Sequence, residues 1–435
     1  MEWWHVLLVM FLGLGALMAT GMPIAFAFGV LNMVLLFVFI GANALQAIAI
    51  SSFSSIAAFA FTALPFFILM GEVILHSGLA TLAIESIGKW LGRVPGRLAM
   101  LAVVAGTAFG AASGSSMASA ATLGTILVPE MRRQGYDKGL AVGAIATCGA
   151  LDVLIPPSAL TVIFGGISRL SVGDLLVGSI LPGLLLASLL FGYIAVLCAV
   201  RPDLAPPYDV ARISWGERLA SLRYLLPIVI LILLVLGSMF FGVATPSESA
   251  AMGAFGSFVL AAAYGRLRWP VMRKALLATV EVTGLALLII TSATAFSQIL
   301  AYTGAAAGLS RFATDLPVSS WVILVCMQLV ILVMGCFMEP VSIIFITIPI
   351  FFPVVSALGF DPLWFAIVCL VNIELSLITP PFGLNLFVLK GVVPPDITLG
   401  DIYRGVLPFV VLNIVALAIV MAFPPLATWL PGLMH

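Results

Sequence analysis

The chain has 435 residues, of which 63% are hydrophobic and 8% charged, and its 18 basic and 18 acidic residues leave a net charge of zero. Soluble proteins average about 25% charged residues, so this composition excludes a soluble globular protein, and the lack of excess positive charge argues against nucleic-acid binding. Disorder is excluded as well, because it requires low hydrophobicity and high net charge. The composition therefore indicates an integral membrane protein with several spans.

Ten full spans are predicted from the apolar runs, at about 20 residues for each crossing. In chain order they cover residues 4–22, 24–42, 56–80, 139–165, 178–200, 225–243, 248–265, 275–303, 363–390 and 405–428. No Lys or Arg precedes the first run, whereas a secretory signal peptide begins with basic residues. We therefore interpret the first run as a retained span.

Sixteen of the 18 basic residues fall in five segments, and only Arg169 and Arg311 lie outside them. These basic segments, numbered in chain order, are 89–97, 132–138, 201–223, 266–274 and 390–404. The positive-inside rule assigns all five to the cytoplasm. The apolar stretch between the first two is too short for two spans, so it is predicted to be a re-entrant hairpin at about 98–130. Its small, polar centre is a functional candidate, because irregular backbone is tolerated in a membrane only where it is buried or lines a cavity.

An internal repeat relates the two halves at an offset of 224 residues, which connects Pro156-Pro157 with Pro380-Pro381. The repeat predicts a first unit at 1–200, a cytoplasmic linker at 201–224, and a second unit at 225–435 with a hairpin at about 320–355. Five spans precede the linker, and an odd number inverts the second unit. The predicted fold is thus an all-α polytopic membrane protein with two inverted-topology repeats, each with five spans and one re-entrant hairpin. This plan is typical of secondary transporters with a site near the bilayer midplane, although channels also use re-entrant loops.

The hairpin tips and the two spans that carry Pro-Pro are the candidate sites. Paired prolines remove two amide donors and break a helix, which frees carbonyl groups to coordinate a cation. Three acidic residues, Asp152, Glu339 and Glu374, fall in or next to these places, and carboxyl groups at such depth favour cation coupling. A phosphate-binding loop of the Walker type and a histidine- or cysteine-based constellation are both absent, so the chain is predicted not to be an enzyme and to have no catalytic residues and no cofactor.

The chain closely resembles the large membrane subunit of tripartite ATP-independent periplasmic (TRAP) transporters over nearly its whole length. Four segments carry the resemblance: GAASGSSMASAATLGTILVPEMRRQGYDKGLA, LIPPS, ATPSESAAMG and LITPPFGLNLFVL. The resemblance implies a Na⁺-coupled transporter of the elevator type in the bacterial cytoplasmic (inner) membrane, importing a small organic acid. It also implies two partners, a small four-span membrane subunit and a periplasmic substrate-binding protein. A stand-alone Na⁺- or H⁺-coupled organic-anion symporter of the same broad fold remains the alternative.

The resemblance also implies ligand residues. One Na⁺ is expected between the hairpin and the carbonyl groups of the first break, and a second in the other repeat; the first set is Ser113, Ser115, Asp152, Ile155 and Pro157, and the second is Gly335, Ser376, Thr379 and Phe382. The expected substrate-binding residues are Ser116, Pro156, Glu339, Pro340, Pro380 and Asn385. Two positions depart from the family pattern: Asp152 stands where a small residue is expected, and Ser119 stands where many relatives have aspartate. Both departures bear on the number of sodium ions.

Overall fold

The structure is a computed structural model that describes residues 2–39, 41, 50, 52–92, 94–113, 116–149, 151–206 and 214–434. Within these ranges every element of regular secondary structure is helical. The predicted all-α class is therefore confirmed.

In the first half the elements are α1 (Trp3–Ala19), α2 (Ile24–Phe39), a 3₁₀ turn (Phe59–Thr62), α3 (Ala63–His76), α4 (Leu79–Trp90), α5 (Arg97–Ser113), α6 (Ser116–Arg133), α7 (Lys138–Gly149), α8 (Ala159–Ser168), α9 (Val172–Gly178) and α10 (Ile180–Val200). A second 3₁₀ turn (Pro202–Leu204) precedes the other half. There the elements are α11 (Trp215–Phe240), α12 (Pro246–Ala263), α13 (Trp269–Tyr302), α14 (Ala305–Asp315), α15 (Ser320–Phe337), α16 (Pro340–Ala357), α17 (Pro362–Leu377), α18 (Leu384–Val392), α19 (Leu399–Ala422), α20 (Pro425–Thr428) and a 3₁₀ turn (Pro431–Leu433).

The same order of elements occurs in both halves. We call α5 with α6 hairpin one, and α15 with α16 hairpin two. Each hairpin is followed by a helix, a non-helical break and a shorter helix: α7, break one (151–158) and α8 in the first half, then α17, break two (378–383) and α18 in the second. Helices α6 and α16 begin at Ser116 and Pro340, and α7 and α17 begin at Lys138 and Pro362, so both pairs keep the offset of 224 residues. The inversion of one repeat relative to the other stays a prediction.

Four of the ten predicted spans lie on described helical stretches that are long and apolar enough to cross a membrane: α9 with α10, α11, α13 and α19. The two arms of hairpin two, α15 and α16, also meet this criterion, and α3 with α4, bent by 67°, would form a seventh span. Several of the other predicted spans are interrupted. The predicted spans 139–165 and 363–390 each consist of two shorter helices around a break. Paired prolines explain these interruptions, because they deprive the helix of amide donors.

Helix α11 begins at Trp215, before the start of the predicted span 225–243. Ser214 caps it: the Ser214 side chain accepts from the Glu217 amide, and the Glu217 side chain accepts from the Ser214 amide. This reciprocal cap stabilises a polar first turn that an apolar run does not reveal. The predicted linker 201–224 therefore contains the start of a helix, and its residues 207–213 lie outside the described part of the chain.

Contacts between described residues bring together three of the five basic segments, namely 132–138, 201–223 and 390–404. The Asp396 carboxylate lies 3.1 Å from the Lys138 amine and 3.3 Å from the Arg132 guanidinium. The hydrogen bond from Lys138, followed by the nearby positive charges, lowers the pKa of Asp396. The Asp137 amide donates to the Leu204 carbonyl at 2.9 Å. These contacts agree with the prediction that the basic segments share one side of the membrane, and we call this side of the molecule the basic end.

The two helices that lead into the breaks lie deepest in the fold. Residues 140–149 of α7 and residues 364–377 of α17 are all buried. A helix that is apolar on every face belongs in the interior of a large helical protein. Break one, which follows α7, is buried apart from half-buried Ile155, whereas break two exposes Pro381 and Phe382.

Candidate functional site

The structure describes the turn of hairpin two but not that of hairpin one. In hairpin one, α5 ends at Ser113 and α6 begins at Ser116; Gly114 and the predicted ligand Ser115 lie outside the described residues, as does the Ser113 side chain. In hairpin two, Met338 and Glu339 connect α15 to α16, whose first residue is Pro340. Proline suits this first position because its amide would have no helical partner there.

Break one and break two share one local geometry. The Pro156-Pro157 and Pro380-Pro381 peptide bonds are both cis. After break one, the Ser158 side chain accepts from the Thr161 amide and so starts α8, while the Thr161 hydroxyl donates to the Val153 carbonyl at 3.2 Å. Asn385 stands at the position equivalent to Thr161 in the second repeat. Its side chain is fully buried, and neither of its amide atoms has a hydrogen-bond partner among the described residues.

A central cavity of about 250 Å³ lies where the hairpins approach each other. Three predicted substrate-binding residues line it, namely Ser116 of hairpin one and Glu339 and Pro340 of hairpin two. Its remaining walls are mostly apolar and come from α3, break one, α8, α13 and the last residue of α17. The predicted residues Pro156, Pro380 and Asn385 do not line this cavity. The structure therefore brings half of that predicted set to one place.

Two carboxyl groups are fully buried beside hairpin one. The Ser116 hydroxyl donates to the Glu374 carboxylate at 3.1 Å, and the Ser119 hydroxyl donates to the Asp152 carboxylate. Asp152 also interacts electrostatically with Glu374. The two departures from the family pattern thus contact each other: the carboxyl group of Asp152 reaches the residue that replaces the expected aspartate. Sequence analysis noted each position and did not predict that they meet.

The predicted first sodium set is only partly described. Asp152, Ile155 and Pro157 all lie in break one, with the Ile155 amide donating to the Leu151 carbonyl at 3.1 Å. The hairpin side of this set, Ser113 and Ser115, cannot be compared because those side chains fall outside the description. Hydroxyl and carbonyl oxygens are the hard ligands that alkali and alkaline-earth cations prefer.

The predicted second sodium set lies at the contact between hairpin two and break two. Gly335 lies against Ser376 so closely that an added Cβ would be 1.7 Å from the Ser376 hydroxyl oxygen. The Thr379 hydroxyl donates to the Leu375 carbonyl at 2.7 Å, and the ring of Phe382 lies 5.0 Å from that of Phe337 at the end of α15. All four predicted residues thus belong to one junction between the hairpin and the broken helix.

Comparison with known proteins adds an independent observation. The family model described as "Tripartite ATP-independent periplasmic transporter, DctM component" matches residues 11–426. The C4-dicarboxylate TRAP transporter large permease protein DctM of Pseudomonas aeruginosa is 35% identical over 391 residues, which cover 90% of each chain. The DctM protein of Rhodobacter capsulatus, with the same description, is 33% identical, with 98% of this chain and 99% of that chain covered.

Further relatives are named for other acids. Relatives that are each 29% identical are named for the transport of sialic acid, 2,3-diketo-L-gulonate and isethionate. The isethionate relative, named DctMQ, is longer than this chain, which matches 65% of it. Among solved structures, the YdaH transporter of Alcanivorax borkumensis is similar at a TM-score of 0.62 with 17% identity, covering 90% of both chains. This last likeness concerns the fold.

Proposed function

Since this chain belongs to the family of large membrane subunits of TRAP transporters, a multi-pass family of the inner membrane, we propose that it imports a small organic acid in symport with Na⁺. The observation that carries the proposal is the central cavity, which is lined by the first residues of α6 and α16, by break one and by the end of α17. A site formed where two repeats meet can be exposed to either side of the membrane in turn.

An anionic substrate is supported by the two helix ends that reach the cavity. Ser116 and Pro340, the first residues of α6 and α16, both line it. The N-terminus of a helix carries partial positive charge and favours a carboxylate. The Glu339 carboxyl group lines the same cavity, so an acid that enters it requires a cation to offset the repulsion.

Sodium coupling is supported by the oxygen-rich junctions described above. Gly335, Ser376 and Thr379 bring hairpin two against break two, where Pro380 and Pro381 contribute no amide donors. The neighbouring carboxyl groups of Asp152 and Glu374 are fully buried, and a cation bound beside them would stabilise their ionised form. We assign the two ions to the two predicted sets.

An elevator movement and two partners complete the proposal. The hairpins and broken helices would move as one body against α3 and α13, which form the other walls of the central cavity. A periplasmic binding protein would deliver the substrate, and a small four-span subunit would complete the membrane complex. The family description and the greater length of the relative named DctMQ support these partners.

Reconstitution tests the proposal. The chain is placed in liposomes with its small subunit, and uptake of radiolabelled succinate, sialic acid and gulonate derivatives is measured with the binding protein outside and an inward Na⁺ gradient. We expect uptake of one of these acids only with all three proteins and with Na⁺. Uptake by the chain alone would establish the stand-alone symporter instead, and no uptake by the complete system would refute the proposal.

A further inference from the structure

A second cavity, of about 330 Å³, lies between the end of α8 and the C-terminal half of α13. We call it the outer cavity. Its polar lining residues include Arg169, Thr294 and Ser297, and Arg169 is its one charged lining residue among the part of the chain that is described. No ion pair between described residues involves Arg169. The exposed Arg169 side chain therefore borders a cavity whose described lining contains no carboxylate.

The outer cavity lies away from the basic end. Phe61 of its lining belongs to the 3₁₀ turn, whose Thr62 hydroxyl donates to the Ser247 hydroxyl at 2.7 Å. Ser247 lies at the start of α12, and the fourth basic segment (266–274) follows the other end of the same helix. The charge pattern assigns the end near Ser247 to the periplasm. Arg169 is thus a cation on the side from which substrate arrives.

The outer cavity and the central cavity share the same walls. On α8, Gly166 and Ile167 line the outer cavity, and Ile163 and Leu160 line the central one. On α13 the outer cavity is lined by Ile290, Ala293, Thr294 and Ser297, and the central cavity by Val282, Leu285, Ala286 and Ile289. Residues three to four apart lie on one face of a helix, so each wall continues from one cavity into the next. The third wall continues likewise, from Phe61 to Leu64 and Ile68 on α3.

We propose that the outer cavity is the entry site for the substrate, where the Arg169 guanidinium binds a carboxylate of the organic acid before the acid passes between α8 and α13 into the central cavity. The inference rests on the proposed function. Arginine suits this role because its planar fork holds a carboxylate through two hydrogen bonds. Ser297 offers a further hydroxyl donor, whereas the Thr294 hydroxyl donates to the Ile290 carbonyl at 3.0 Å and remains an acceptor.

Position 169 is suited to present the side chain. Arg169 ends α8 with φ 60, the one non-glycine residue with a positive φ in the described chain. Glycine or asparagine usually occupies such a position, because most other side chains strain the left-handed backbone conformation. The Phe61 ring contacts Gly166 nearby, where an added Cβ would lie 2.2 Å from the ring. The backbone at the end of α8 is therefore closely packed, and the exposed Arg169 side chain starts from it at the edge of the cavity.

The test uses the complete complex in proteoliposomes and a binding protein loaded with radiolabelled succinate, at varied binding-protein concentration. Arg169→Gln is compared with Arg169→Lys and with Arg311→Gln, which removes the other basic residue outside the basic segments. Loss of a charge-assisted hydrogen-bonded pair weakens binding by roughly 10- to 100-fold. We expect Arg169→Gln to lower the maximal transport rate by this factor, while the half-saturating concentration of binding protein stays unchanged. Arg169→Lys should recover part of the rate, and Arg311→Gln should match the wild type.

Two results would overturn the entry site. If Arg169→Gln raises the half-saturating concentration and keeps the maximal rate, Arg169 docks the binding protein; if it behaves as Arg311→Gln does, it has no role in transfer. The variant Arg169→Cys distinguishes loss of the positive charge from misfolding. A cationic trimethylammonium-ethyl thiosulfonate should restore its transport, and the anionic sulfonate analogue should not. The wild type treated with each reagent is the control. Equal responses to the two reagents would also overturn the proposal. A wild-type complex that imports no acid refutes the proposed function itself, which distinguishes the two failures.

Discussion

Gly335→Ala tests whether the junction between hairpin two and break two must be as close as it is. The new Cβ would lie 1.7 Å from the Ser376 hydroxyl oxygen and 2.2 Å from its Cβ, whereas ordinary contacts begin near 3.4 Å. Ser376 is fully buried and its hydroxyl donates to the Ile373 carbonyl, so it has no room to turn away. Such overpacking costs about 1–3 kcal/mol, more than the roughly 1 kcal/mol that alanine contributes to helix propensity.

The assay is thermal unfolding of the purified complex in detergent, at several Na⁺ concentrations. We expect Gly335→Ala to lower both the unfolding temperature and the stabilisation by Na⁺. Gly192→Ala on α10 is the matched control, because a Cβ there meets nothing within 4 Å. The double variant Gly335→Ala/Ser376→Gly removes both Ser376 atoms that clash with the new Cβ. It should therefore recover stability, with a coupling free energy of about 0.5–3 kcal/mol between the two sites. Its Na⁺ binding should stay weak, because the predicted Ser376 ligand is lost. Wild-type stability and Na⁺ response in Gly335→Ala would refute the reasoning.

Three further predictions follow from the same structure. Ser115→Ala and Thr379→Val should each raise the Na⁺ concentration for half-maximal transport by roughly 5- to 150-fold, because one lost ligand costs about 1–3 kcal/mol. Wild-type Na⁺ dependence in both variants would contradict the ion assignment. Ser119→Ala removes a donor from a fully buried carboxyl group and should destabilise the complex by about 1–3 kcal/mol in thermal unfolding, whereas Ser188→Ala, which loses only a bond within α10 to the Leu184 carbonyl, should not. A cysteine in place of exposed Asp203 should resist a membrane-impermeant thiol reagent in intact cells, and labelling there would overturn the inverted topology.

The repeat and its breaks were predictable because they depend on local chemistry. A pair of prolines removes two neighbouring amide donors, so Pro156-Pro157 and Pro380-Pro381 interrupt their helices, whereas single prolines such as Pro129 and Pro227 lie inside continuous helices. The bend after α3 has a local signal too, since Gly78 adopts φ 72, but glycine is too common in this chain for that signal to be distinctive.

Other features depend on contacts between distant parts of the chain. Ser119 and Asp152 are 33 positions apart and meet only because α6 packs against α7. The pairing of Ser116 with Glu374 connects the two repeats, and no spacing rule within one repeat reveals it. The outer cavity likewise requires α8 and α13 to meet, so the charge pattern singled out Arg169 without indicating what it faces.

The most direct test of Na⁺-coupled import measures both fluxes in the same proteoliposomes. With the binding protein outside and no pH gradient, uptake of the radiolabelled acid and of ²²Na⁺ is followed together, with and without a protonophore. The account predicts that each depends on the other, that both stop when K⁺ replaces Na⁺, and that the protonophore does not abolish them. Acid uptake that persists without Na⁺ and collapses with the protonophore would contradict the account.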